Sequence, residues 1–477
     1  MAPVVVVPAI GALLLAACSS DGGPAGLDAA AHADGAADAG EVDGGDGGAA
    51  GELPVVPFVD ARGRAVFWLG VNAVGDAKDP PDFLPGLADA DYDLLATWGV
   101  TLARVLLFWE AIEPAPGEYD DVYLATIRDE LDRLGARGID VLLDMHQDVF
   151  GRGFGSSGAP DWACPEENYA TFEWTDPWFM NYLSPEVTAC FDHLWTTPEL
   201  QERYREAWRH AAEVLGDHPA VLGFDLMNEP YPGSQARFEE DVLGPLYDEV
   251  AAALAAAAPG RASFLEPAVS FNLGLDTDLP PFAEGRVFAP HYYPPFTEGG
   301  AYEGDIDDVR AELALHVRAA VRLGAPLVVG EVGIRNDVGD ADRYLADAID
   351  AVLSLGGSPV VWALSRGGSG GFALLDEDGA PWPTAEALPR PYAHRVAGRL
   401  VSTSYDRANA ELTVTWAETG VDADTEIVLP GEGFVDVAVT SDDPPGSWSW
   451  AHDAATRRLI LAVDHALARH TFRIARP

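Results

Sequence analysis

Short apolar runs alternate with amphipathic stretches between residues 67 and 365. The runs are FWLGVNA (67–73), TLARVLLF (101–108), DVLLDMH (140–146), VLGFDLMN (221–228), ASFLEPA (262–268), RVFAPHYY (286–293), PLVVGEVG (326–333) and PVVWALS (359–365). Each is brief and rich in Val, Leu or Phe, as strands buried on both faces are. Between them, YLATIRDELDRLGARG, QERYREAWRHAAEVLG, FEEDVLGPLYDEVAAALAAAAPG and VRAELALHVRAAVRLG carry helical spacing, and several end in a Gly suited to a C-cap. Strand and helix alternating eight times predict an α/β protein built on a (β/α)8 TIM barrel over residues 53–393. No G-x-G-x-x-G follows the first run, so an open dinucleotide-binding sheet is not expected.

From about residue 396 the helical spacing stops. RLVSTSYD, LTVTWAE, TEIVLP, VDVAVTS, RLILAVD and HTFRIA read as short alternating strands between turns, which predicts a small C-terminal β-sandwich over 394–477. Its expected role is to pack against the barrel as a structural appendage, with carbohydrate binding as the alternative. Ahead of the barrel, residues 19–52 are Ala, Gly and Asp with almost no large apolar side chain, a composition that predicts a disordered spacer. Residues 1–18 read as an export signal, too short to span a bilayer as a permanent helix and closed by small residues before Cys18. Leu15-Ala16-Ala17-Cys18 resembles the lipobox of bacterial lipoproteins, although no Lys or Arg precedes the apolar run. The expectation is an exported protein, either secreted or held at the cell surface by lipid on Cys18.

Composition narrows the chemistry. The 477 residues are 48% hydrophobic, enough for a large core and a smaller one, and carry a net charge of −48 spread along the chain. Nucleic acid is an improbable partner, because phosphate binding needs clustered Lys and Arg. The three cysteines include Cys164 and Cys190. In an exported chain this pair either closes a loop of about 25 residues, worth on the order of 3 kcal/mol, or stays as two buried thiols. No cysteine or histidine spacing suggests a zinc site and no calcium loop is present, so neither metal nor organic cofactor is expected. A monomer is expected.

Two of the apolar runs lead to a glutamate. VLGFDLMNEP places Glu229 after Asn228, and PLVVGEVG places Glu331 roughly a hundred residues later. At the C-terminal ends of parallel barrel strands, where catalysis takes place, two carboxyls ~5–5.5 Å apart suit glycoside cleavage with retention. One would protonate the leaving oxygen and the other attack the anomeric carbon. Pro230 turns the chain out of the strand and suits Glu229 to the acid/base role. Gly330 and Gly333 leave room for a sugar beside Glu331, the expected nucleophile.

DMHQDVFGRGFGSSGAPDWA (144–163), DLMNEPYPG (225–233), FLEPAVSFNLG (264–274), FAPHYYPP (288–295), PLVVGEVG (326–333) and LPRPYAHRVAG (388–398) together resemble endoglycoceramidases, a branch of glycoside hydrolase family five. Asn-Glu-Pro and the second Glu mark the wider family. His146-Gln147-Asp148 and the following Gly-Ala-Pro-x-Trp mark the branch. The resemblance implies hydrolysis of the bond between glycan and ceramide in glycosphingolipids, with the membrane met through the substrate and through any lipid anchor. It also implies that Asn228 donates to the sugar 2-hydroxyl and that Arg104 orients and ionises the nucleophile, to which Tyr293 donates as well. Lys78 and Asp148 match residues that hold sugar hydroxyls. His146 and His291 are expected as neutral rings fixing the carboxylates or a hydroxyl, with a core role as the alternative. Trp162 and Trp362 are candidates for stacking on sugar faces.

The third βα loop adds Phe150, Phe154, Trp162, Tyr169, Phe172, Trp174, Trp178, Phe179, Met180 and Tyr182 between Gly and Pro. These rings are expected either to line a groove for acyl chains or to pack on one another over the barrel. The chain departs from the family at Val332, where Phe is frequent, and in the Gly-rich SRGGSGGFALLDEDG loop. Two other readings stay open: a β-glucanase or mannanase of the same family, and a catalytically silent glycolipid-binding surface protein.

Overall fold

The computed structural model describes residues 53–431 and 433–476. The export signal, Cys18 and the spacer therefore lie outside the described residues. Parallel strands Gly70–Ala73, Leu102–Leu107, Asp140–Met145, Val221–Asp225, Ala262–Leu265, Arg286–Phe288, Val328–Val332 and Ser358–Leu364 follow one another around a barrel, the eighth pairing with the first. The sixth strand breaks at Ala289-Pro290, where proline offers no N–H to the ladder, and resumes as His291–Tyr292 beside the seventh. A bridge from Phe288 to Leu327 completes the ring.

Alternation along the strands builds two layers inside the barrel. Leu102, Leu142, Phe264, Val287, Val328 and Val360 form one apolar cluster. Two residues further along each strand direction, the same face carries Arg104, Asp144, Glu266, Ala289, Gly330 and Trp362. The apolar layer plugs the N-terminal half, and the polar layer opens towards the C-terminal rim. The outward faces of the strands pack against the helices. On Pro198–Leu215, for example, Leu200, Tyr204, Ala207, Trp208, Ala211 and Leu215 are buried at helical spacing.

The C-terminal unit is a sandwich of a six-stranded and a four-stranded antiparallel sheet around Leu400, Trp416, Ile427, Leu461 and Phe472. Two features differ from the sequence reading. The hairpin Phe58–Val59/Ala65–Val66, assigned there to the barrel domain, extends the six-stranded sheet by pairing with Tyr392–Val396. An unexpected strand, Trp448–Asp453, forms that sheet's other edge; its side chains are exposed or half-buried on both faces, so it shows no alternation to read. The sandwich meets the barrel at the strands' N-terminal ends. Tyr392 Oη lies 2.7 Å from Thr101 Oγ1, immediately before the second strand, and Phe67 N donates to the His394 carbonyl at 2.8 Å. The sandwich thus sits away from the catalytic rim.

The inner rings of the third βα loop join the barrel's main core. Phe150, Phe154 and Tyr182 are buried, and Phe154 packs edge-on to Tyr169 and Phe172, both at 4.9 Å between centroids. Trp174 and Trp178 are exposed, and Trp162, Tyr169, Phe172, Phe179 and Met180 are half-buried, so of the two alternatives self-packing accounts for the inner rings. Apolar rings in a loop rich in Gly and Pro find one another before they find a ligand. A disulfide joins Cys164 to Cys190, with the Cα atoms 5.3 Å apart, and ties the loop to helix Pro185–Thr196. Replacing both by Ala is expected to lower stability by about 3 kcal/mol, read as a shift in the urea midpoint. An unchanged midpoint would show that the self-packed rings alone hold the loop.

Candidate active site

Arg104 organises the polar layer. It is fully buried, and each of its five N–H groups has an acceptor. Nε donates to Asp225 Oδ2 at 2.9 Å. Nη1 donates to Asn72 Oδ1 at 3.1 Å and Glu331 Oε1 at 2.9 Å. Nη2 donates to Asn228 Oδ1 at 3.0 Å and Glu266 Oε1 at 2.9 Å. Asp144 Oδ1 lies a further 2.9 Å from Nη2. Strand register explains the convergence, since Asn72 stands opposite Arg104 and Asp144 opposite Asp225. Oxygens of Asp144, Asp225 and Glu266 come within 4.8 Å of one another. Such a group could hold a cation, and the guanidinium already supplies that charge. Burial and then the Glu266 charge push Asp225 well above the ordinary carboxylate range, towards its neutral form.

Glu229 and Glu331 face each other across the rim. Ligand atoms of Glu229, His291 and Glu331 lie within 4.8 Å of one another, a separation that suits a retaining pair. His291 Nδ1 is 2.9 Å from Glu229 Oε1 and 3.6 Å from Glu331 Oε2. Tyr293 Oη donates to Glu331 Oε2 at 2.9 Å. Burial raises the Tyr293 phenol well above its usual range, and the Glu331 charge adds to this, so the phenol stays a donor. A Cβ on Gly330 would stand 3.2 Å from His291 Nε2. The glycine therefore makes room for the histidine, a different reason from the sugar access expected from sequence.

Glu229 is held in a costly backbone conformation. Its φ is +43°, in the left-handed region, which costs a residue with a side chain on the order of 1–3 kcal/mol. Three hydrogen bonds with two side chains hold it there. Gln147 Nε2 donates to the carbonyls of Asn228 and Glu229 at 2.9 and 3.1 Å, and Glu229 N donates to Glu266 Oε2 at 2.8 Å. Upstream, the Leu226 carbonyl accepts from Tyr204 Oη at 2.7 Å and from Trp208 Nε1 at 2.9 Å. The His-Gln-Asp motif thus does its structural work through its middle residue. Asn228 Nδ2 gives one hydrogen to the Gln147 carbonyl at 3.0 Å, which leaves the second for a ligand.

A second group lines the side nearest the first, third and eighth strands. Lys78 Nζ is 2.6 Å from Asp148 Oδ2 and 4.4 Å from the centroid of Trp362. Trp362 stacks on His146 at 5.7 Å, and His146 Nδ1 is 2.7 Å from Asp144 Oδ2. Burial opposes the Asp148 charge, but Lys78 and His146 outweigh it and hold the carboxyl below its usual range. Both histidines are raised from the ordinary imidazole range. Burial and Lys78 lower His146, yet Asp144 and Asp148 leave it raised; for His291 the charges of Glu266 and Glu331 overcome burial. Trp162 stands apart, edge-on to Trp109 at 5.3 Å and donating to the Glu113 carbonyl at 3.2 Å, where it supports the third loop. The structure therefore brings together Lys78, Arg104, His146, Asp148, Asn228, Glu229, His291, Tyr293, Glu331 and Trp362.

Sequence reasoning missed Asn72, Asp144, Asp225, Glu266 and Asn272, whose Nδ2 donates to Glu229 Oε1 at 2.7 Å. A signal was present for the first four: each is a polar residue at or just past the end of an apolar strand, in phase with the inward face.

Residues 59–368 match the family described as cellulase, glycosyl hydrolase family 5. The chain belongs to glycosyl hydrolase family 5. Residues 390–475 match the family 5 C-terminal domain. Within the family, the chain is similar to endoglycoceramidase I of Rhodococcus hoagii, strain 103S, at 33% identity over 261 residues, which is 50% of this chain and 51% of that protein. It thus spans about half the length of that curated relative. It is also similar to solved structures of endo-glycoceramidase II from Rhodococcus sp. The lactosyl-enzyme intermediate aligns at 27% identity with a TM-score of 0.78, covering 88% of this chain and 99% of that one. The ganglioside GM3 complex aligns at 27% and 0.78, covering 89% and 100%.

Proposed function

We propose that this chain is a retaining glycosidase that hydrolyses the β-glycosidic bond between the glycan and the ceramide of glycosphingolipids. The observation that carries the reading is the pair Glu229 and Glu331, with carboxylate oxygens within 4.8 Å across the barrel mouth. Glu331, oriented by Arg104 and Tyr293, attacks the anomeric carbon while Glu229 gives its proton to the glycosidic oxygen, and ceramide leaves as an alcohol. Water then gives a proton to Glu229 and attacks the same carbon from the face vacated by ceramide. The bond to Glu331 breaks, and the glycan leaves with its configuration retained. The free amide hydrogen of Asn228 suits the sugar 2-hydroxyl, a bond that strengthens as positive charge develops in the ring. Lys78, Asp148 and the face of Trp362 suit the remaining hydroxyls and the sugar face.

The choice of a glycolipid over a polysaccharide is supported by the endoglycoceramidases to which the chain is similar, one of them solved with ganglioside GM3. A direct comparison tests it. On detergent-dispersed glycosylceramides the enzyme is expected to release intact oligosaccharide and ceramide, with little activity on soluble β-glucan or mannan. Faster release of sugar from the polysaccharides would identify a glucanase or mannanase instead. Binding of glycolipid without hydrolysis would identify a silent surface protein.

A further inference from the structure

The two oxygens of Glu229 are not equivalent. Oε1 accepts from Asn272 Nδ2 at 2.7 Å and lies 2.9 Å from His291 Nδ1. Among the described residues Oε2 has no hydrogen-bond partner. An amide N–H is a donor only, so the oxygen it meets is better suited to be the carbonyl oxygen of a carboxylic acid than its hydroxyl. Asn272 reaches this position from the short helical turn Val269–Leu273 that follows the fifth strand, and among the described residues its side chain makes no hydrogen bond to Arg104 or its acceptors.

We propose that Asn272 is a positioning residue which, together with His291, occupies Glu229 Oε1 and so assigns the transferable proton to Oε2. The inference rests on Glu229 being the acid/base. The carboxyl then needs no rearrangement before transfer, because its hydroxyl is the oxygen left free for the leaving group. In the second step the same oxygen receives the proton of the attacking water, and Oε1 keeps Asn272 Nδ2 as its donor, with His291 Nδ1 beside it, throughout. Other groups around the carboxyl are Glu331 and Tyr293 on the rim, Glu266 below, and Tyr182 and Glu298 further out. Of these, only the tyrosines offer a hydrogen at neutral pH, and Tyr293 gives its own to Glu331.

Leaving-group dependence tests the proposal, because a dinitrophenyl glycoside departs without a proton whereas ceramide does not. Asn272→Ala is expected to lower kcat/KM about tenfold on glycosylceramide and less than about twofold on the dinitrophenyl glycoside, a fraction of what general acid catalysis supplies. Asn272→Asp, of the same shape, is expected to be worse than Asn272→Ala on glycosylceramide, because a carboxylate at this position draws the proton to Oε1. A purely structural role predicts the reverse order, or equal losses on both substrates, and either result overturns the inference. Glu229→Ala is the control. If it separates the two substrates while the Asn272 variants do not, the inference alone fails; if it does not separate them, the acid/base reading fails and takes the inference with it.

Discussion

Replacing Glu331 by Gln is expected to lower kcat/KM on an aryl β-glycoside by about 10⁴-fold or more, a loss of roughly 5.5 kcal/mol in transition-state stabilisation. The amide has the shape of the carboxylate but cannot form the glycosyl ester on which the double displacement depends. It also fits its surroundings poorly. Arg104 Nη1 donates to Oε1 and Tyr293 Oη to Oε2, so the amide nitrogen must either face the Arg104 donor or turn the Tyr293 hydroxyl from donor to acceptor. A dinitrophenyl substrate should not rescue the variant, because the missing step is attack and not protonation. In the wild type, a slowly turned-over 2-deoxy-2-fluoro glycoside is expected to label one residue, and the mass of the peptide carrying Glu331 should rise by that of the sugar. Label on another carboxylate, or turnover by Glu331→Gln near the wild-type rate, would remove Glu331 from the role.

The barrel and its two glutamates were legible in the sequence because they follow from local patterns. Each barrel strand is an apolar run, and Glu229 and Glu331 stand where such runs end, so periodicity proposed them and the family resemblance singled them out. What holds them was harder to read, since it depends on register between strands distant in sequence. Asp144 and Asp225 lie 81 positions apart and meet only because the third and fourth strands pair in parallel. Glu266 stood inside the FLEPA run as one more strand-end acid, and nothing local said that it would accept the backbone N–H of Glu229. The N-terminal hairpin escaped for a similar reason: Val66 pairs with Arg395 across more than three hundred residues. The aromatic residues of the third loop were legible only as two alternatives, a ligand surface or self-packing, and the burial of Phe150, Phe154 and Tyr182 assigns the inner rings to packing.

Removing the Arg104 side chain as Arg104→Met is expected to destabilise the protein by about 3–5 kcal/mol, the usual cost of leaving buried charges without their partner. The size follows from what the guanidinium touches. It is fully buried, and Asp144, Asp225, Glu266 and Glu331 all lie 2.9 Å from one of its nitrogens. Without it, the oxygens of three buried acids remain within 4.8 Å of one another, with only His146 beside Asp144 and His291 beside Glu266 among the described residues to offset their charge. The loss should depend on pH. Asp225 is already raised by burial and by Glu266 despite Arg104, so deleting the arginine raises it further. A carboxyl whose pKa is raised on folding binds more protons in the native state. Its contribution is therefore retained below the unfolded value of about 3.9 and lost as pH rises through the folded one. The deficit of Arg104→Met relative to wild type, from urea midpoints, is expected to be larger at pH 8 than at pH 5. Arg104→Lys keeps the charge but not the five-donor fork, so it should recover part of the stability and little of the activity. A deficit below about 1 kcal/mol, or one that does not change with pH, would mean that the acids are balanced by something other than Arg104.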